Sequence, residues 1–560
     1  MKLSVNRLED MLLSQGSISK EQHSKIREYI LKNKVSSTVA ITKLGIMDLN
    51  SIYRAIAKAL KVEFVPINDL YGKLNRDTIN LLSENICKAF CVLPWEVNGN
   101  ELKLLIENPQ DTAAIKEVQA WTGKKVVPVM AVGKQLKNII EQYFEKKHKD
   151  DKMKTLLRQA NENASVSNVQ ETFADGVGPM VEFINMLLEE AAANKASDIH
   201  IKPNENDVRI RMRVDGELRE TTRVPIKSLN TIISRIKVLS DLDISEKRIP
   251  QDGSFTYKGK TCFLELRVSI LPSLFGESCV MRVIDKKGID YDLSMLGMSD
   301  EDEAIFRKMI ERPDGLVLVT GPTGSGKSTT LYTALKELNT PEVNIITVED
   351  PVESPVKDIN QVQVNAKVGL DFAASLRSIL RHDPDIIFIG EIRDSETAQI
   401  AVRSSITGHL VLSTLHTNDA MSAVIRLCDM GIEKYLVTSA LTGVVAQRLL
   451  KRVCPECSQN HLITEEESKL TGLPVGTVTK VGRGCMNCGN TGYSGRVAIY
   501  EFVLVTKELR SAILSGALND ELVEIAKGQG MISLKDSCQE LLLNGITSVK
   551  EAMRIIYAKE

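Results

Sequence analysis

Apolar residues along this chain switch between two periods, and the switches mark out its elements. From Leu8 to Leu60 the spacing is helical: Leu8, Met11 and Leu12 make one stripe, and Ser19 with Gln22 places a capping box before the next helix. Val62–Pro66 reads as extended. Leu102–Ile106 and Val126–Met130 are apolar runs of strand length, and Leu136–Phe144 returns to helical spacing. Residues 1–145 are therefore expected to form a helical part followed by a small α/β part, in which Cys87 and Cys91 share a helix and serve packing. A charge run, Glu145–Lys152, and the polar stretch Ala160–Asn168 follow. With few large apolar residues there, 146–178 is expected to be a linker, a single solvated helix being the lesser alternative.

Beyond this stretch, Val181, Ile184, Leu187, Leu188 and Ala191 predict a helix. Ser197–Ile201 and Val208–Val214 alternate as strands with one charged face, and Asp215-Gly216 reads as a hairpin turn. Thr261–Val268 and Glu277–Ile284 predict a second strand pair, giving an α+β domain over 179–293. From 294 to 450, the strands Leu316–Thr320, Val343–Val348, Asp385–Ile389 and Leu410–Leu415 are mostly separated by helical patterns. That alternation predicts a mostly parallel sheet with its site at the carboxyl ends of the strands. A cysteine-bearing module is expected over 451–497 and a helical region over 498–560, with Ser548 and Glu551 boxing the start of the last helix.

The bulk numbers narrow the class. At 560 residues the chain is too long for one core and suggests roughly three to five domains. With 43% hydrophobic and 26% charged residues it reads as soluble and globular, and the order of its elements makes it an α/β multidomain protein. A formal net charge of -2 argues against a whole-chain nucleic-acid binder. No apolar run is long enough to span a bilayer, and the start Met-Lys-Leu-Ser-Val-Asn lacks a signal-peptide core. Membrane association is thus expected to go through partners.

Chemistry concentrates after the strand ending at Thr320. Gly321-Pro322-Thr323-Gly324-Ser325-Gly326-Lys327-Ser328 fits G-x-x-x-x-G-K-[ST], with Thr329 following at the start of a helix. Such a turn aims successive backbone N–H groups and a positive helix end at a polyphosphate. Lys327 can reach the β- and γ-phosphates of a nucleoside triphosphate, and Ser328 can ligate Mg²⁺. Two further strands end in acids, one running into Glu349-Asp-Pro-Val-Glu353 and one into Gly390-Glu391. Carboxylates there can hold a Mg²⁺ shell or orient water, and Gly390 allows close backbone approach to phosphate. His409 and His416 flank the strand Leu410–Leu415, where a γ-phosphate sensor could sit.

Four arginines stay ambiguous on spacing alone. Arg377 and Arg381 fall on one face of an expected helix Phe372–His382, either solvated against Asp383 or Asp385 or poised for phosphoryl-transfer charge. Arg267 and Arg282 project off the core of their strands, and spacing favours surface ion pairs. The ten cysteines include two Cys-x-x-Cys pairs, Cys454/Cys457 and Cys485/Cys488. Paired thiolates of this kind close a tetrahedral zinc shell, structural rather than catalytic; a redox dithiol is the alternative.

With those residues in view, the chain from about Pro179 onward resembles the type II secretion and type IV pilus assembly ATPases, RecA-like motors of the secretion superfamily. The resemblance rests on Ser197-Asp-Ile-His-Ile-Lys-Pro203, Arg213-Val-Asp-Gly216 and Lys247-Arg-Ile-Pro-Gln-Asp-Gly253. It rests also on the phosphate loop, Glu349–Glu353, Arg381–Ile387, Gly390–Asp394 and Thr407–Asp419, and on the cysteine pairs. It implies a RecA-like core behind a PAS-like domain, with Glu353 polarising the attacking water and Glu391 organising Mg²⁺. It implies that His409 and His416 sense the γ-phosphate, that Arg267 and Arg282 reach the nucleotide, and that Arg377 and Arg381 act at subunit boundaries. The family forms cytoplasmic homohexamers that drive an inner-membrane platform protein, so the resemblance implies a peripheral motor for a pilus or pseudopilus.

The N-terminal region resembles the family's regulatory domain, in which some relatives bind cyclic di-GMP through paired Arg-Leu-Gly repeats. Here Arg7-Leu8 is followed by Glu9 where glycine is expected, and Val35-Ser-Ser-Thr-Val39 replaces much of the second repeat. These departures weigh against the dinucleotide and leave docking to an inner-membrane partner as the expectation. The competing functions are a pilus-retraction motor, a DNA-translocating ATPase and a non-hydrolysing nucleotide switch. The cysteine module and long N-terminal region argue against the first, the charge balance against the second, and the paired acids against the third.

Overall fold

The computed structural model describes residues 8–66, 70, 74–164, 178–285, 292–485 and 487–556. The chain divides into two compact units. One comprises Met1–Thr155 with the loops Cys454–Ser458 and Gly482–Gly492; the other comprises Leu156–Val453, Gln459–Val481 and Tyr493–Glu560.

In the first unit, helices Leu8–Ser14, Lys20–Asn33, Ser37–Lys43 and Leu49–Leu60 pack around Leu12, Ile26, Ile41 and Ile52, and the Ser19/Gln22 capping box is present. Four strands follow: β1 (Glu63–Phe64), β2 (Val92–Asn98), β3 (Glu101–Ile106) and β4 (Lys125–Met130), ordered β1-β4-β3-β2. Cys87 is buried in the helix Glu84–Phe90, while Cys91 caps that helix in the left-handed conformation. Arg7 lies outside the described residues, as do 165–177 of the expected linker.

The rest of that linker is not loop. One helix runs Gly133–Ala164, straight through the charge run. Lys147 donates to Asn80 at 2.7 Å and His148 meets Glu84 at 2.5 Å, so the charges form its polar face. Met153, Leu156, Leu157 and Ala160 are its buried stripe, spaced for a helix but diluted by the charges around them.

The second unit opens with helix Pro179–Ala193, whose proline occupies the first turn. Six strands follow: β5 (Asp198–Pro203), β6 (Asp207–Val214), β7 (Glu217–Pro225), β8 (Gln251–Lys258), β9 (Phe263–Ser273) and β10 (Gly276–Asp285). They form an antiparallel sheet, β7-β6-β5-β10-β9-β8. Alternation sends Val208, Ile210, Met212 and Val214 inward and Arg209, Arg211 and Arg213 outward. Arg267 and Arg282 are cross-strand neighbours on the outward face.

The phosphate-loop sheet has seven strands: β11 (Gly315–Thr320), β12 (Ile345–Glu349), β13 (Asn360–Gln363), β14 (Ile386–Ile389), β15 (Leu410–Leu415), β16 (Leu441–Val453) and, after an insertion, β19 (Tyr493–Leu504). Its order is β13-β12-β14-β15-β11-β16-β19, parallel except for the last pair. The sheet therefore does not end at Leu450 as expected: residues 454–492, with the short pair β17 (Ser458–Leu462) and β18 (Val478–Gly482), are inserted between two of its strands. Four helices from Lys507 to Ile556 complete the unit.

Lys451 ties three elements of this unit together. Its buried ammonium pairs with Glu217 of β7 and with Glu551 at 3.4 Å, and it lies 5.1 Å over the Tyr493 ring. Glu551 thus turns inward, leaving only the Ser548 half of the expected capping box. Beside it, Asp215 accepts from Gly495 N–H at 3.1 Å. Lys451→Met should destabilise the fold by about 3 kcal/mol, because it strands a buried carboxylate. A thermal midpoint several degrees lower, substantially restored by Glu551→Leu, is the expected melting result.

Candidate active site

β11 delivers the chain into the loop, and the loop's shape explains its glycines. A Cβ on Gly321 would lie 2.5 Å from Gln447 O, and Gly324 and Gly326 hold φ of +79° and +92°. Lys327 opens the helix Lys327–Leu338, and its Nζ donates to Gly321 O at 2.8 Å and Pro322 O at 3.1 Å. Burial pushes the Lys327 ammonium down to about 8, with Glu391 opposing and Arg448 reinforcing the shift. Ser325 Oγ is buried and has no hydrogen-bond partner among the described residues. Pro322, Thr323, Ser328 and Thr329 are exposed at the loop mouth. An orphaned hydroxyl, a desolvated lysine and an open helix start together fit a polyphosphate with its cation.

Glu391 follows β14 and contacts Arg393 and, at 3.4 Å, His416. Burial works to raise its pKa, but the hydrogen bond and charge of Arg393, with the contact to His416, outweigh burial and hold the carboxyl below its ordinary value. Gly390 also has a neighbour inside the sheet. Its added Cβ would lie 3.4 Å from Glu349 Cα, so its smallness lets β14 approach the end of β12.

The acids at the end of β12 part company. Glu349 is buried and accepts from the Tyr332 hydroxyl, from Thr347 Oγ1 at 2.7 Å and from Gln361 Nε2 at 3.1 Å. Glu353 is half exposed and faces Arg267 at 4.0 Å, while Arg267 also donates to Val352 O at 3.1 Å. Arg267 is thus no surface ion pair of its own sheet; it crosses to the segment carrying Glu353. Arg282 does pair on its sheet, with Asp198 at 3.5 Å.

Three expectations need correction or relocation. Helix Phe372–Ile379 ends before Arg381, so Arg377 and Arg381 do not share a helical face. Arg381 instead donates to Arg377 O at 2.6 Å, and Arg377 pairs with Glu396 rather than Asp383 or Asp385. His409 and His416 lie at opposite ends of β15. Gly315 N–H donates to His409 O, whereas Gly321 N–H donates to Leu415 O. Six strand residues at about 3.3 Å each put His409 roughly 20 Å from the loop, so only His416 is beside it.

The sequence reading missed Gln447 and Arg448 on β16. Gln447 accepts from Thr330 Oγ1 at 2.8 Å behind the loop. Buried Arg448 donates to the carbonyls of Gln447, Thr417 and Asn418 at 3.0, 3.3 and 2.6 Å, clamping the turn after His416. Burial holds its pKa below the usual arginine value. A polar pair inside the buried run Leu441–Leu450 was the available signal.

The four cysteines of the insertion converge with all Sγ atoms within 4.8 Å of one another, and all four residues are buried. Measured edges are 3.7 Å for Cys454–Cys485, 3.9 Å for Cys457–Cys488 and 3.6 Å for Cys485–Cys488. Thiolates about 2.3 Å from a central ion would stand about 3.8 Å apart, so the cluster can hold zinc. Burial pushes the Cys457 thiol up to about 11. Cys488 moves down instead: against burial, N–H groups of Cys485 and Gly492 at 3.1 and 3.2 Å stabilise its thiolate. Gly484, φ +97°, passes close against Asn490 O, where a Cβ would lie at 2.7 Å.

Comparison with known proteins adds to this geometry. Residues 173–554 match the family described as type II/IV secretion system protein, and residues 60–150 match the MshEN domain. The type IV pilus assembly ATPase PilB of Myxococcus xanthus is 39% identical over 98% of both chains. Type II secretion system protein E of Pectobacterium carotovorum is 47% identical over 68% of this chain and 76% of its own. Among solved structures, the Legionella pneumophila ATPase DotB superposes with a TM-score of 0.51 at 23% identity, covering 67% of this chain and 96% of its own. That last likeness speaks for the fold alone.

Proposed function

The chain belongs to the type II/IV secretion system protein family, a family of ATPases, and from that premise we propose that it powers assembly of an extracellular fibre. The loop Gly321–Thr329 binds ATP, with Lys327 and the Ser325 hydroxyl on its phosphates. Ser328 and Glu391 hold Mg²⁺, which supplies charge neutralisation at the phosphates. Glu353 orients the attacking water, and Arg267, reaching in from the preceding sheet, leans on that same segment. His416 reads the occupied site through Glu391. The observation that carries this reading is the shaped, desolvated loop with Glu391 and His416 gathered at the adjoining strand ends. His409 has no part in this chemistry within its own chain.

We assign Arg282, like Arg267, to the nucleotide from the antiparallel sheet, and Arg377 and Arg381 to the subunit boundaries of a homohexamer. The six-stranded sheet with its helices serves as a PAS-like domain that moves against the ATPase core. Zinc in the four-cysteine cluster holds the insertion together. Among the described residues no helix is long and apolar enough to cross a membrane. We place the motor on the cytoplasmic face of the inner membrane, acting on a platform protein through partners docked at its N-terminal region. The match to a pilus assembly ATPase runs nearly end to end, at 98% of the chain, while a type II secretion system protein E matches over 85% of it. That favours pilus extension, with type II secretion as the second reading. The match to the MshEN domain begins at residue 60, beyond the altered repeats, so cyclic di-GMP is not assigned.

Purified full-length Lys327→Ala tests the site. ATP turnover should fall about 100-fold with the zinc content unchanged. Turnover within twofold of the parent would overturn the assignment.

A further inference from the structure

Beyond the groups already assigned, one buried hydroxyl touches the Glu353 segment from inside. Tyr332 is 1% exposed and lies on the helix that begins at Lys327. Its ring packs edge-on against Phe388 of β14, with centroids 6.2 Å apart. The hydroxyl donates to the Glu349 carboxyl. It accepts from the backbone N–H of Glu353 at 3.2 Å and of Ser354 at 3.4 Å. Gln361 braces the same assembly: its Nε2 lies 3.4 Å from the hydroxyl, donates to Glu349 at 3.1 Å and donates to Ser354 O at 3.1 Å.

Glu349 receives hydrogens from three donors, so the hydroxyl proton points at Glu349 and its lone pairs face the two backbone N–H groups. Burial first, and Glu349 second, keep the phenol far above its ordinary range, so it stays a donor at any working pH. Arg267 grips Val352 O from the other side. The turn that carries Glu353 is thus fixed from two directions: by a side chain of the phosphate-loop helix and by an arginine of the antiparallel sheet. Glu353's own side chain is half exposed, so its aim depends on that backbone.

We propose that the Tyr332 hydroxyl, backed by Glu349 and Gln361, is the positioning group that sets the Val352–Ser354 backbone and so aims the Glu353 carboxyl at the attacking water. The inference rests on the reading of Glu353 given above. It also gives the phosphate loop a mechanical link to that carboxyl, because Tyr332 and Lys327 ride on one rigid helix.

The test is a double-mutant cycle on the full-length protein: parent, Tyr332→Phe, Glu353→Gln and the double variant, with kcat and KM for ATP measured for each. Tyr332→Phe keeps the ring on Phe388. Its kcat should fall about 10-fold, the scale of a modest misplacement of a reacting group. Its KM should stay within about twofold, because the loop is untouched. In the Glu353→Gln background the same change should lower the residual rate no further. An unchanged kcat for Tyr332→Phe, or an equal loss on both backgrounds, would overturn the proposal. Parent-like turnover by Glu353→Gln would instead sink the reading of Glu353 itself, and Tyr332's role with it. If Tyr332→Phe does not fold, Gln361→Met strips the bracing amide. A kcat loss confined to the Glu353 background supports the proposal, and no loss contradicts it.

Discussion

Glu353→Gln should bind ATP with affinity close to the parent's and turn it over at least about 100-fold more slowly, the usual scale for loss of a group that handles a proton in the transition state. The amide is isosteric and keeps the backbone bonds from Tyr332 and Arg267, so the turn should hold its shape. What disappears is the acceptor for a water proton. Arg267 loses its charged partner at 4.0 Å, but that pair is partly solvated and contributes little to stability. The melting temperature should therefore barely move while kcat collapses. Affinity comes from binding of a non-hydrolysable analogue, and turnover from phosphate release. Full turnover would assign water activation elsewhere, with Glu391 the next carboxyl to test.

Cys454→Ser should have the largest structural effect. It removes one of four soft ligands from a closed shell, and three thiolates with a hydroxyl hold zinc far more weakly. Small metal-ordered loops fold only as they bind, so zinc content should fall from one per chain toward zero and the insertion should become protease-sensitive. Damage should stop at the sheet. β16 and β19 pair directly from Gly443/Leu504 to Val453/Tyr493, which keeps the base of the insertion closed without the metal. Nucleotide binding by the loop should then survive. Equal zinc content and thermal stability in variant and parent would contradict the metal assignment.

Features that depend on neighbouring residues in the chain were readable before any fold was known. The phosphate loop, the cysteine pairs, the core strands from Leu316 to Leu415 and the Ser19 capping box all follow from local spacing. What sequence could not supply is which strand lies beside which. Gln447 and Arg448 reach the loop because β16 is the neighbour of β11, a pairing across more than a hundred residues. Tyr332 meets the Glu353 backbone through a helix side chain packed over the sheet, a contact no strand pattern marks, and Arg267 crosses from another sheet. His409 and His416 look symmetrical in the chain, yet parallel pairing sends one to the loop and the other to the far edge. The helix Gly133–Ala164 was hidden because its charged face outnumbers its buried stripe. Arg381 was misread because the helix stops at Ile379, where Arg381 turns back to cap it.

If ATP hydrolysed at this loop drives fibre assembly, a cell carrying a dead loop should show it. The most direct test is to replace chromosomal Lys327 with alanine in the native cell and score surface fibres and exported protein together. Fibres should be lost while export stays normal. Retained fibres with cargo trapped in the periplasm would move the motor to secretion, and extra fibres would mean retraction. Fibres and export both unchanged would mean that ATP hydrolysis at this loop drives neither.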